Sequence, residues 1–170
     1  FGLEAGQSFP ARLGVALRKA DHDIQILNAS VAGDTTAGGL ARLDWSLAAE
    51  PHAVIVELGG NDGLRGIDPR STYANLDAIL TRLKSRDIPV LLTGMIAPPN
   101  LGNDYGEMFN AVFSLLARRH GIAFYPFILE GIAGQPDLNQ EDGIHPNQPG
   151  VTIMVDRLLP HVVRLLATIE

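Results

Sequence analysis

Residues 53–63 read Ala53-Val54-Ile55-Val56-Glu57-Leu58-Gly59-Gly60-Asn61-Asp62-Gly63, and the fold turns on this stretch. It opens with a short run of Val and Ile that does not alternate with polar residues, the pattern of a strand covered on both faces. The run stops at two glycines followed by Asn-Asp-Gly, which breaks the strand and begins a turn. A buried strand ending in a donor-rich turn is a unit of a parallel sheet, because only crossover connections cover both faces.

Working outward, three further apolar runs have the same character: residues 24–28, 89–95 and 123–125. The segments between them carry helical spacing. One covers residues 8–20, with Phe9, Leu13 and Leu17 on one face and Ser8 as its cap. Others cover residues 36–49, 71–86 and 104–120, the last closed by Gly121. A final helix over residues 148–167 follows Asn147 as N-cap, and Pro160 is expected to kink or split it. Strand–helix alternation predicts an α/β fold: three layers, α/β/α, around a flavodoxin-like parallel sheet, in a single domain over residues 1–170.

That order, 2-1-3-4-5, places the first strand inside the sheet. Here a loop and a helix come before any strand. Without an interior strand, residues 24–28 and 53–58 would flank a gap of unpaired backbone groups, each costing on the order of 1–3 kcal/mol. The expectation is therefore that the first strand is missing from this chain and belongs to polypeptide ahead of Phe1.

Bulk properties narrow the function. The chain of 170 residues is 46% hydrophobic and 19% charged, a globular composition. Its net charge of -6 speaks against nucleic acid or an anionic membrane as partner. It has no cysteine, which removes disulfides, thiolate metal sites and a cysteine nucleophile. No apolar run reaches the roughly 18 residues of a transmembrane segment.

Ligands of such sheets bind at the C-terminal ends of the strands, so the loops there decide the chemistry. The first is Ala29-Ser30-Val31-Ala32-Gly33-Asp34-Thr35-Thr36. Its Gly33, just before a helix, can bring a backbone N–H close to a ligand. A plain strand-to-helix turn capped by Asp34 or Thr35 explains the same residues. The second is the Gly59–Gly63 turn. The Asn61 amide offers two uncharged donors, suited to a developing oxyanion, although Gly/Asn/Asp turns are common without function.

The third loop is Glu141-Asp142-Gly143-Ile144-His145-Pro146-Asn147. A carboxylate and an imidazole stand three residues apart with a glycine between them to permit a bend. Asp142 can then accept the His145 Nδ1–H, fix the tautomer and leave Nε2 to act as a base. His22, His52, His120 and His161 have no patterned partner in the sequence and read as structural or solvated. No metal or cofactor site is expected, since two ligands do not make one.

A base and oxyanion donors call for a nucleophile. Ser46, Ser71, Ser85 and Ser114 fall in or beside helices, Ser8 reads as a cap, and only Ser30 neighbours one of these loops. No Gly-x-Ser-x-Gly elbow is present.

Together the three loops resemble the SGNH (GDSL) hydrolases, most closely the bacterial branch of arylesterases, acyl-CoA thioesterase I and lysophospholipases. Residues 28–35 are similar to that family's second block, residues 57–66 to its third, and residues 142–147 to its fifth. The resemblance implies a Ser-His-Asp hydrolase of esters or thioesters with Asp142 and His145 in the triad and Gly33 and Asn61 in the oxyanion hole. It implies Leu64, Ile67, Met95, Ile96 and Pro98 beside the substrate, which would be a small ester, a thioester or a lysolipid. No cofactor is implied, and the branch is often periplasmic or secreted.

The first block, Gly-Asp-Ser-Leu, is absent, and residues 1–10 look like the stretch shortly after it. The nucleophile is therefore expected upstream of Phe1, on the same polypeptide or on a separate N-terminal peptide, and the chain by itself is expected to be inactive. The opposing reading is a non-catalytic flavodoxin-like binding module or degenerate hydrolase. It accounts for the fold and the absent serine, but not for base, orienter and oxyanion donor all falling on loops of one edge.

Overall fold

The computed structural model describes residues 2–169. They fall into two compact units: one runs to Ser30 and resumes over Ile128–Arg164, and the other takes Val31–Phe127 and resumes at Leu165.

The second unit holds the sheet. Its strands β1 (Val54–Val56), β2 (Val90–Thr93) and β3 (Ala123–Tyr125) lie side by side in chain order, all parallel. Val54 faces Val90 in one ladder, and Leu91 faces Ala123 in the other. Neighbours in chain order are what the last three strands of a 2-1-3-4-5 sheet should be, and the chain is α/β as expected. All four residues of β2 are buried, which explains its unbroken Val-Leu-Leu run.

The expected strand over residues 24–28 is not formed. Its composition suits a strand, but a strand exists through ladder hydrogen bonds, and this segment has no ladder partner among the described residues.

In the same unit as the sheet come α2 (Thr36–Ala41), α3 (Leu43–Ser46), α4 (Gly60–Leu64), α5 (Pro69–Lys84) and α6 (Asn103–His120). Two of them build the core. Helix α5 buries Leu76, Ile79, Leu80 and Leu83, and α6 buries Phe109, Val112, Phe113 and Leu116. Both sets follow the 3–4 spacing of one helical face, and they pack with Val56, Val90 and Leu92 of the sheet. Helix α5 starts two residues earlier than expected, because Pro69 fits the first turn and the Asp68 carboxylate accepts the Arg70 N–H at 2.9 Å. Helix α6 ends as expected on Gly121, whose φ of 66° is left-handed.

The single helix expected over residues 36–49 is two. Arg42 leaves helical geometry at φ −102°, ψ 9°, after Gly38-Gly39 has weakened the helix. Its guanidinium turns back to Asp34, with Nε 2.6 Å from Oδ2. The short helix α4 was not expected at all, since Gly, Asn and Asp make up its first four residues.

The first unit contains α1 (Phe9–Lys19), with Leu13 and Leu17 buried as its spacing predicts. Ser8 stands at the cap position, but its hydroxyl donates back to the Ala5 carbonyl at 2.8 Å and does not cap. Helix α7 (Gln148–Leu166) begins in this unit behind Asn147, whose side-chain oxygen accepts the Gly150 N–H at 3.1 Å. It runs through Pro160 as one helix, so the expected split does not occur. Val151, Val155, Leu158 and Val162 bury one face around the proline, and that packing offsets its missing hydrogen bond.

Candidate active site

In the first unit, the loop before α7 holds Asp142 against His145. The Asp142 Oδ2 lies 2.7 Å from His145 Nδ1. Its other oxygen accepts the backbone N–H groups of Ile144 at 2.9 Å and His145 at 3.0 Å. These bonds favour the charged form and hold the Asp142 carboxyl at about 2, well below the usual range. The two backbone donors come first among the causes, with the His145 N–H to Oδ1 the largest and the ring contact to Oδ2 after them. Gly143 makes the bend, at a φ of +69° that L side chains avoid. The loop is closed behind the dyad: Gln140 N–H donates to the His145 carbonyl at 2.8 Å, and Asn139 pairs with Pro146. Beside it opens a cleft of about 370 Å³ lined by Gly134, Gln135, Pro136, Asn139, Gln140, Glu141 and Gly143.

In the second unit, Gly33 and Asn61 lie on two segments tied to each other. Gly33 has φ +76°, and its carbonyl accepts Arg65 Nη2 at 2.8 Å. Its own N–H has no partner among the described residues. The Asn61 amide donates one hydrogen to the Asp34 carbonyl at 2.9 Å, which fixes the rotamer and leaves its second hydrogen for a ligand. Asn61 occupies the first turn of α4, directly beyond the end of β1.

The residues expected beside the substrate belong to this unit as well. Leu64 ends α4 and is 45% exposed. Ile67 is held by its backbone: its N–H donates to the Asp62 carbonyl at 3.0 Å, and its carbonyl accepts the Tyr105 hydroxyl at 2.9 Å. Burial, then the nearby charges of Asp62 and Asp68, raise the Tyr105 phenol, which stays a donor. Met95 packs on the core and against Gly60, where an added Cβ would meet its Cε at 2.8 Å. Ile96 is 52% exposed. Pro98 lines a cleft of about 240 Å³ with Ala97, Pro99, Gly102, Asn103, Gly106, Glu107 and Asn110.

The remaining polar groups read differently from the sequence. His120 has a partner that spacing could not reveal, Asp77 of α5 at 2.6 Å, and the pair ties the end of α6 to α5. The hydroxyls of Ser46, Ser85 and Ser114 donate to carbonyls of their own helices or turns. Among the described residues no three His, Asp or Glu side chains gather as metal ligands, and no helix is long and apolar enough to cross a membrane. Sequence reasoning passed over Asp62. It is fully buried between Thr36 and Thr72, partners 26 and 10 residues away, and no local pattern marks it.

Residues 1–153 match the model of the GDSL-like lipase/acylhydrolase family. The chain is 40% identical to the esterase TesA of Pseudomonas aeruginosa over 97% of its own length and 83% of that protein's. It is 38% identical to thioesterase 1/protease 1/lysophospholipase L1 of Escherichia coli, over 92% and 74% of the two lengths. The crystal structure of the psychrotrophic esterase EstA from Pseudoalteromonas sp., inhibited by monoethylphosphonate, superposes with a TM-score of 0.91 at 32% identity, covering 98% of this chain and 91% of that one. The match over residues 1–153 spans the loops that carry Gly33, Asn61, Asp142 and His145, and the chain belongs to the GDSL-like lipase/acylhydrolase family.

Proposed function

We propose that the protein hydrolyses carboxylic esters and thioesters by acyl transfer to a serine, with Asp142 and His145 as the other members of the triad. The observation that carries this reading is the 2.7 Å contact between Asp142 Oδ2 and His145 Nδ1. A carboxylate bonded there makes Nδ1 the protonated nitrogen and Nε2 the basic one.

The nucleophile in this reading is the serine of the family's Gly-Asp-Ser-Leu block. Its hydroxyl attacks the substrate carbonyl carbon while His145 Nε2 takes the hydroxyl proton. The Gly33 N–H and the second Asn61 amide hydrogen receive the oxyanion. The intermediate collapses with protonation of the leaving alcohol or thiol by His145, and water then cleaves the acyl-serine by the same steps in reverse roles. Leu64, Ile67, Met95, Ile96 and Pro98 are assigned to the acyl or alcohol portion. Aryl esters, acyl thioesters and lysolipids all present such an apolar portion next to the reacting carbonyl. Support comes from the names of the relatives, an esterase and a thioesterase/lysophospholipase. It comes also from the monoethylphosphonate inhibition of EstA, since a phosphonate takes the place of the acyl carbonyl under attack.

Intact-mass spectrometry of the complete protein after treatment with a fluorophosphonate tests the reading. One adduct per chain on a serine, formed with loss of p-nitrophenyl butyrate hydrolysis, is the expected result. An unmodified protein that still hydrolyses the ester would contradict it, and an unmodified, inactive one would favour a binding module.

A further inference from the structure

The Asp62 residue is fully buried, and the proposed chemistry gives its carboxylate no part. Burying a carboxyl group is costly unless donors surround it. Here three do: the Thr36 N–H at 2.9 Å to Oδ2, the Thr36 hydroxyl at 2.5 Å to Oδ1, and the Thr72 hydroxyl at 3.2 Å to Oδ1. The Thr36 hydroxyl has a single hydrogen, and its oxygen accepts Asn75 Nδ2 at 3.1 Å, so that hydrogen goes to Asp62.

What these bonds join is specific. Asp62 follows Asn61, and Thr36 lies three residues after Gly33, so the carboxylate clamps the two segments that carry the proposed oxyanion donors. The other ties between the segments, Asn61 to the Asp34 carbonyl and Arg65 to the Gly33 carbonyl, lie nearer solvent. Leu58 packs against Gly39 below them, closely enough that a Cβ there would meet Leu58 Cδ1 at 2.5 Å. Of these contacts only the Asp62 clamp is buried and made by more than one bond, so it sets the separation of the two segments.

We infer that Asp62 is a positioning residue for the oxyanion hole: with Thr36 and Thr72 as its donors, it holds the Asn61 amide and the Gly33 N–H at the spacing that a tetrahedral oxyanion needs. The inference rests on the proposed hydrolase reading. An asparagine at 62 would turn an NH2 toward one of three donors, and one contact of the clamp would become a repulsion.

The test is steady-state hydrolysis of p-nitrophenyl butyrate by the complete protein, with melting curves, for Asp62→Asn, Thr36→Val, Thr36→Ser, Asn61→Ala and the double variant Asp62→Asn/Asn61→Ala. Misplacement of a transition-state contact costs up to about 10²-fold. Asp62→Asn and Thr36→Val are therefore expected to lower kcat by about 10- to 100-fold with KM within about twofold, and Thr36→Ser to recover most of the loss. Because Asp62 acts partly through Asn61, the double variant should lose clearly less than the product of the two single losses.

A rise in KM with kcat unchanged, or losses that multiply in the double variant, would overturn the inference. So would a fully active Asp62→Asn beside an Asn61→Ala that loses about 10²-fold or more. If Asn61→Ala itself is fully active, the hydrolase reading of that site fails and the inference with it. Should Asp62→Asn not fold, Thr36→Val and Thr36→Ser carry the same comparison.

Discussion

The Asp142 carboxylate binds His145 twice, through the ring Nδ1 at 2.7 Å and through the backbone N–H at 3.0 Å. The second bond matters as much as the first. It fixes where the His145 backbone lies, so the imidazole is oriented from both ends and keeps little rotamer freedom.

Asp142→Asn is therefore expected to leave the fold intact and to lower kcat by about 10³- to 10⁴-fold, because an amide can present N–H to Nδ1 and stabilise the wrong tautomer. Ester hydrolysis and a melting curve on one preparation check this. A loss below about tenfold would remove Asp142 from the role.

The same bonds make a pH prediction. The folded carboxyl is held at about 2, below its usual 3.8, so its contribution to the loop is fully present above about pH 4 and is lost as pH falls through 2. The Ile144 and His145 amide resonances should titrate together with a midpoint near 2. A midpoint near 3.8 would show that the carboxylate is not bonded as described.

Gly143 lies at φ +69° with no neighbouring atom within 4 Å of an added Cβ. Gly143→Ala therefore adds backbone strain without a clash, about 1–2 kcal/mol. Urea melts should show that loss, and kcat should fall with it because the bend carries the dyad. Unchanged stability would mean that the loop does not need the left-handed residue.

Gly94, at the end of β2, is a contrasting case. An added Cβ would meet the Pro126 carbonyl oxygen at 2.1 Å, and that oxygen belongs to the backbone and cannot swing away. Gly94→Ala should cost about 1–3 kcal/mol or more through overpacking and displace the Met95–Pro98 segment. A wild-type melting point would contradict the packing described.

How far the sequence was legible depended on the range of each contact. The helical faces of α5 and α6 could be read because Leu76, Leu80 and Leu83, or Phe109, Val112 and Leu116, repeat within one helix. The Asp142–His145 contact could be read because it closes over three residues around a glycine. Residues 24–28 misled because apolar composition reports burial preference, whereas a strand also needs a partner that composition cannot supply. Helix α4 was hidden by its Gly, Asn and Asp residues, whose short-range preference for turns is overridden where Gly63 packs on Phe109. The clamp at Asp62 was invisible, since the donors that satisfy it are brought together only by folding.

The most direct test of the catalytic account is kcat/KM of His145→Ala against wild type, measured on p-nitrophenyl butyrate with the complete protein. Loss of about 10⁴-fold or more, with an unchanged melting point, is the predicted result. Hydrolysis within about tenfold of wild type would show that His145 is not the base.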